Sequence, residues 1–195
     1  MTERPSLRHA TELVSHLVQQ TDDHQLSAPT PCPDYQVGDL LDHLAGLSTA
    51  FTWAAQKTNL EVMDGPPPLG RTEHLADDWK AVIPHRLKSL ADAWEDPDAW
   101  TGMTKAGGIE MPGEVGGLVA LNEVLVHGWD LAKGTGQAYD PHPELVAIGA
   151  EFTAQFDPAG SPGAFGPMVQ TPDDGAGLQR LLGNTGRDIG WQPQP

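Results

Sequence analysis

The stretch Gly116–Leu131, GGLVALNEVLVHGWDL, decides the fold of this chain. It is apolar on almost every side, which is typical of a helix buried inside a bundle. Its few polar side chains include Glu123 and His127, which are four residues apart and therefore lie on one face of a helix, one turn above the other. Because a buried carboxylate is costly without a partner, either these two side chains bind each other or a metal ion binds between them.

A second histidine also lies on an apolar helical face. His43 stands between Leu40 and Leu47 in the segment DLLDHLAGL. Metal sites in helical bundles form from inward side chains on facing helices, so we expect His43 to face Glu123 and His127. Two imidazoles and one carboxylate suit a zinc ion with one open position, and they also suit other divalent ions such as iron. The residues alone leave open a simpler alternative, a satisfied core histidine beside a hydrogen-bonded Glu–His pair.

Apolar residues repeat at helical spacing in several segments that are separated by loops rich in Gly and Pro. Pro84 should kink or split the third segment, a short hairpin is expected around Gly107 and Gly108, and Gly134 should end the fourth helix. The pattern predicts an all-α fold, an up-down four-helix bundle with additional C-terminal helices and loops. The predicted helices span residues 7–20, 37–58, 72–94, 116–133 and 144–156, with a short helix from residue 171 to residue 183.

The bulk properties limit the classes of function. The length of 195 residues favours one domain, residues 1–195, with a bundle core in residues 1–136 and a helical extension packed on it in residues 137–195. A net charge of −16 argues against binding to nucleic acid or to an anionic membrane surface. The first ten residues lack the apolar core of a signal peptide, no apolar run reaches transmembrane length, and the single Cys32 excludes an intrachain disulfide. We therefore expect a cytoplasmic protein. Cys32 is flanked by prolines and is interpreted as a packed loop thiol.

Three segments carry a resemblance to a known family. TPCPDYQVGDLLDHLAG, residues 30–46, resembles a signature of the DinB-like metal-binding superfamily and, within it, of the N-terminal domain of mycothiol-dependent maleylpyruvate isomerase and its actinobacterial relatives. NEVLVHGWDLAKGTG, residues 122–136, resembles the second signature, and residues 165–191 resemble the C-terminal segment of an actinobacterial subgroup. Gln36 departs from the pattern, because Ser or Thr would be the stronger cap of the second helix.

The resemblance implies a bundle that holds a divalent metal, commonly zinc. Carried over by motif, the ligands are His43, Glu123 and His127, the same set that the spacing suggests. It also implies mycothiol as a thiol co-substrate. A bound cation deprotonates a coordinated thiol and orients it, so the chain is expected to be a metal-dependent thiol transferase or isomerase acting on a small electrophile, with hydrolysis as another option.

Further residues are candidates for supporting roles. Asp130 and Asp39 are placed to accept the second ring proton of a metal-binding histidine, although Asp39 also suits a helix N-terminus. Arg71 and Arg187 are candidates to hold the acid group of a substrate.

Two other functions are also considered. One is a binding module that sequesters a metal or a small molecule without turnover, and the other is a metal that only pins two helices together. The protein is expected to be a monomer or a homodimer.

Overall fold

The computed structural model describes residues 4–58, 64–160, 166–171 and 177–193. Its helices and strands follow one another as α1, α2, α3, a β-hairpin, α4, α5 and α6. In chain order the bounds are α1 Arg8–Gln20, α2 Val37–Ala55, α3 Trp79–Trp94, β1 Met103–Ala106, β2 Ile109–Pro112, α4 Gly113–Thr135, α5 Pro143–Thr153 and α6 Gly177–Asn184.

Helices α1 to α4 form a bundle in which chain neighbours are not always spatial neighbours. Helix α2 packs mainly on α3 and α4, and α1 also packs on α3 and α4. The first two helices therefore lie at opposite corners of the bundle. The core between them is rich in fully buried leucines, among them Leu41, Leu44, Leu87, Leu121 and Leu125. Each such side chain contributes roughly 1.5–3 kcal/mol through its removal from water.

The segment between α2 and α3 differs from the sequence prediction. Helix α2 ends at Ala55 rather than at residue 58, and Lys57 takes a left-handed conformation with φ 53°. The predicted helix from residue 72 is a 3₁₀ turn, Thr72–His74, followed by α3 from Trp79. Pro84 lies inside α3 and does not split it. Only one backbone hydrogen bond is lost at this position. Ile83 and Leu87, which precede and follow Pro84 in the helix, are both buried and keep it packed on the core.

The predicted hairpin is present between α3 and α4. Strands β1 and β2 pair antiparallel, with Ala106 opposite Ile109. The two turn residues, Gly107 and Gly108, have φ values of 57° and 78°. A two-residue hairpin turn with both φ values positive matches the right-handed twist of the strands, and glycine adopts it without strain.

Helix α4 is longer than predicted at both ends. It runs from Gly113 to Thr135 and ends at Gly136, which is left-handed with φ 71°. The expected terminator, Gly134, lies within the helix. A side chain at Gly134 would lie 3.0 Å from both Thr30 and Val37, so this glycine permits close packing, while Gly136 supplies the left-handed cap.

Helices α5 and α6 pack on each other, and α5 also packs on α4. Helix α5 ends at Thr153, three residues before the predicted end, and α6 continues one residue past Gly183. The predicted start of the last helix, at residues 172–176, lies outside the described residues. Leu145, Ala150 and Leu181 from these helices join the same apolar core as the bundle. Within the described ranges no helix is long and apolar enough to span a membrane.

Candidate metal centre

Three polar side chains converge between α2 and α4. His43 comes from α2, and Glu123 and His127 come from consecutive turns of α4. Glu123 Oε2 lies 3.5 Å from His43 Nε2 and 3.4 Å from His127 Nε2. The two imidazole rings meet edge to face with centroids 4.8 Å apart. The structure therefore brings together the three residues that the sequence selected.

The spacing of these atoms suits one small cation. Ligand atoms about 2.0–2.1 Å from a tetrahedral ion lie about 3.3 Å from one another, which is close to the two observed N···O distances. The donor set, two neutral imidazoles and a carboxylate, also has the composition that divalent transition metals prefer. The residues present thus fit a divalent metal with a further position open.

Burial makes the protonation of this cluster unusual. Burial alone would raise the pKa of Glu123, but hydrogen bonds and charge from His127 and His43 outweigh it and hold this pKa well below its ordinary value. Burial would lower the pKa of His127, but hydrogen bonds to Asp130 and Glu123 raise it to about 9. Burial lowers the pKa of His43. With no cation bound, His127 therefore holds the proton of the cluster, and a metal must displace that proton to bind.

Behind His127 lies a buried ion pair. His127 Nδ1 is 3.0 Å from Asp130 Oδ2, so the contact expected between them is present. Arg187 donates to Asp130 from Nε at 3.2 Å and from Nη2 at 2.8 Å. Its Nη1 donates to the Thr185 carbonyl at 3.0 Å. The Asp130 side chain is 0% exposed and that of Arg187 is 10% exposed, so Arg187 neutralises Asp130 rather than standing open to a substrate acid.

Asp39 does not occupy the place beside His43 that the sequence suggested. Its Oδ1 accepts from the Thr72 backbone N–H at 2.7 Å and from the Thr72 hydroxyl at 2.8 Å. Its Oδ2 accepts from the Gln36 backbone N–H at 3.3 Å. Asp39 therefore accepts from the N-cap residue of α2 and ties the loop before α3 to this helix.

Tyr35 takes the place beside His43. Its hydroxyl oxygen lies 3.3 Å from His43 Nδ1, and the two rings are tilted with centroids 5.0 Å apart. Tyr35 was not among the site residues predicted from the sequence, although it belongs to the quoted 30–46 signature. An aromatic residue eight positions before a helical histidine has no local periodicity that would have revealed the contact.

The loop before α3 crosses α2 at His43. A Cβ at Gly70 would lie 2.2 Å from the Asp39 carbonyl oxygen and 2.8 Å from the His43 nitrogen, so only glycine fits there. The next residue, Arg71, donates through its backbone to Asp42 at 3.0 Å and through Nη1 to the Gly70 carbonyl at 3.2 Å. The Arg71 side chain is exposed and does not belong to the cluster of His43, Glu123 and His127.

Cys32 packs against the far side of His127. It is buried, and its sulfur lies within 4.8 Å of ligand atoms of His127 and Asp130. Burial raises the pKa of the Cys32 thiol to about 11, with the charge of Arg187 opposing this shift. Such a thiol is a weak nucleophile at neutral pH.

The part of the chain that contains His43, Glu123 and His127 matches a known protein family. The family described as the mycothiol maleylpyruvate isomerase N-terminal domain matches residues 7–132 of the chain. The chain belongs to this family. The matched range includes both helices that carry His43, Glu123 and His127, whereas Arg187 comes from a segment outside it. In this member of the mycothiol maleylpyruvate isomerase N-terminal domain family, the buried pair of Asp130 and Arg187 therefore includes a residue from outside the matched region.

Relatives and solved structures agree with this assignment. Two uncharacterized proteins of Mycobacterium tuberculosis, Rv0738 and MT0763, are each 29% identical over 171 residues, covering 85% of this chain and 86% of the relative. The crystal structure of the mycothiol-dependent maleylpyruvate isomerase shares 20% identity with a TM-score of 0.53, covering 76% of this chain and 67% of that chain. A histidine-to-alanine mutant of that enzyme gives 19% identity and a TM-score of 0.55 with the same coverage. These structures confirm the predicted all-α fold.

Proposed function

We propose that this protein binds one divalent metal, most simply zinc, and uses it in thiol-dependent transfer or isomerisation with mycothiol as the thiol. The observation that carries the proposal is the convergence of His43, Glu123 and His127 with N···O distances of 3.4 and 3.5 Å. Membership of a family named for a mycothiol-dependent isomerase supports the choice of thiol chemistry.

The protein side chains divide the work around that centre. His43 and His127 would hold a cation through Nε2, and Glu123 would hold it through one carboxylate oxygen. Asp130 accepts the Nδ1 proton of His127 and so holds that ring in the tautomer that binds metal through Nε2. Arg187 keeps Asp130 ionised by neutralising its charge in the interior. Arg71, exposed next to His43, is the cation available to an anionic substrate.

The chemistry follows from this arrangement. A divalent cation held by His43, Glu123 and His127 would supply Lewis-acid chemistry, which lowers the pKa of a thiol bound there. A thiolate forms a bond from sulfur to carbon as a carbon–carbon π bond opens, as a leaving group departs, or as an epoxide ring breaks. The first of these is reversible, and rotation about the new single bond before sulfur leaves again isomerises an unsaturated acid.

Metal content tests the proposal. Purified wild-type protein should hold close to one equivalent of a divalent ion by mass spectrometry, and His127→Ala should lose it. His24→Ala is the matched control, because the His24 side chain is 79% exposed and belongs to neither metal-capable group found among the described residues, and this variant should keep its metal. No metal in the wild type, even after incubation with zinc, would refute the proposal and leave a buried hydrogen-bonded Glu–His pair.

Turnover separates an enzyme from a binding module. Consumption of mycothiol in the presence of a small unsaturated acid or another electrophile should be accelerated by wild-type protein and not by His43→Ala. A protein that holds metal but gives no acceleration with any such electrophile would instead be a sequestering module.

A further inference from the structure

Tyr35 is held firmly against the candidate metal centre. Its carbonyl accepts from the Thr30 hydroxyl at 2.7 Å, and its backbone N–H donates to the Cys32 carbonyl at 3.2 Å. Its half-buried ring contacts both imidazoles, with centroids 5.0 Å from His43 and 6.4 Å from His127. The phenol is therefore a fixed part of the wall of the centre.

The direction of its hydrogen bond to His43 can be worked out from the other ring nitrogen. His43 Nε2 faces Glu123, and Nδ1 faces the Tyr35 hydroxyl. If Nε2 offers its lone pair to a cation, the ring proton must lie on Nδ1. Nδ1 then donates and the Tyr35 oxygen accepts. The proton of the Tyr35 hydroxyl is consequently not used by His43.

Apart from His43 Nδ1, the described residues supply no acceptor for that proton. The Gly70 backbone lies close enough to the Tyr35 hydroxyl to oppose the effect of burial on its pKa. The one donor of this hydroxyl is left for a molecule that enters the centre. An uncommitted donor on a fixed aromatic ring beside a ligand position is well suited to bind an oxygen of that molecule.

A positive charge lies beside this donor. Arg71 Nη1 donates to the Gly70 carbonyl, and the Gly70 backbone is also near enough to the Tyr35 hydroxyl to affect its pKa. Among the ion pairs within the described residues, none involves Arg71. A hydroxyl donor together with a free guanidinium is the combination that recognises a carboxylate.

We propose that Tyr35 is a substrate-binding residue whose hydroxyl donates to a carboxylate of the molecule held at the metal centre, with Arg71 as its charged neighbour. The inference rests on the proposed function, because it requires His43 to bind a cation through Nε2. It adds to that function a selecting residue, Tyr35, for a thiol or thiol adduct that bears a carboxylate.

Thiol binding to the cobalt-loaded protein tests this assignment without any turnover. Two probes of similar reach are titrated, 3-mercaptopropionate, which has a carboxylate, and 2-mercaptoethanol, which has none. Charge-transfer absorbance from thiolate to cobalt reports the binding of each. Wild-type protein should prefer 3-mercaptopropionate by about tenfold or more, the effect of one hydrogen bond to a charged group.

Tyr35→Phe should reduce the affinity for 3-mercaptopropionate by about tenfold and leave that for 2-mercaptoethanol unchanged. Tyr139→Phe is the matched control, because the hydroxyl of this second tyrosine donates to the Leu125 carbonyl at 2.7 Å, and it should keep the preference. Circular dichroism checks that both variants fold.

Each remaining outcome counts against the inference. A wild type that binds both thiols equally overturns it even if Tyr35→Phe fails to fold. An unchanged preference for 3-mercaptopropionate in Tyr35→Phe also overturns the inference. So does a Tyr35→Phe variant that no longer binds cobalt, because that result would show that the phenol only orients His43. A wild type that binds no cobalt refutes the proposed function itself, which distinguishes the two failures.

Discussion

Arg187→Met is the substitution whose effect on stability follows most directly from the structure. It removes the guanidinium and keeps most of the side-chain volume. Arg187 is the cation of a pair in which the Asp130 side chain is 0% exposed. Removing one partner of a buried pair costs about 3–5 kcal/mol, because the other charge stays buried without compensation. His127 remains beside Asp130, so we expect a loss near the lower end, about 3 kcal/mol.

Urea denaturation followed by tryptophan fluorescence measures this loss as a change in the free energy of unfolding. Arg8→Met is the matched control, because Arg8 pairs with Asp92 at 3.2 Å while both side chains are 44% exposed. An exposed pair of this kind contributes less than about 1 kcal/mol. The two substitutions thus remove the same group from the same kind of pair and differ in burial.

A double-mutant cycle assigns the loss to the pair itself. Asp130→Asn combined with Arg187→Met should cost less than the sum of the two single changes, by at least about 1.5 kcal/mol. If Arg187→Met costs no more than Arg8→Met, or if the two single effects simply add, Arg187 does not neutralise Asp130 in the folded protein and the reasoning is refuted.

Two further predictions concern the thiol and the helix glycines. Burial raises the pKa of Cys32 to about 11, so only about one thiol in a thousand is ionised at pH 8. Iodoacetamide should therefore label Cys32 far more slowly in the native protein than in the urea-unfolded protein. Equal labelling rates would contradict this prediction. Gly46 lies in α2 with open space around its Cα, whereas Gly136 is left-handed with φ 71°. Gly46→Ala should therefore stabilise the protein by about 0.5–1 kcal/mol, and Gly136→Ala should destabilise it by about 1 kcal/mol. Thermal unfolding measures both changes. Midpoints that shift in the same direction for the two variants would contradict these backbone conformations.

The ligand set was accessible from sequence because it depends on local periodicity. Glu123 and His127 are one helical turn apart, and His43 lies on the apolar face of another predicted helix, so burying both faces brings the three together. The fold class followed from the same apolar repeats. The hairpin followed from the two consecutive glycines at residues 107 and 108, whose backbone preference is strong enough to be read directly.

The residues around the ligands were harder to place because their contacts are not local. Arg187 was chosen as a substrate cation, and nothing near it in sequence indicates that it binds Asp130, 57 residues away. Asp39 was predicted to be a partner of a histidine, but its carboxylate instead accepts a hydrogen bond from Thr72 in the loop before α3. Tyr35 reaches His43 only through the conformation of the proline-rich loop before α2. Such contacts depend on how loops cross the bundle, which periodicity does not describe.

The corner-to-corner arrangement of the bundle also bears on how the chain folds. Helices α1 and α2 share no main interface, so they cannot form an early helical hairpin, and α2 with α3 is the first pair of chain neighbours that can bury apolar surface together. We therefore expect α2 and α3 to gain protection from amide hydrogen exchange before α1 does during refolding, and simultaneous or earlier protection of α1 would refute this order. On this route His43 is in place before Glu123 and His127 arrive with α4, so the cation site is assembled late in folding.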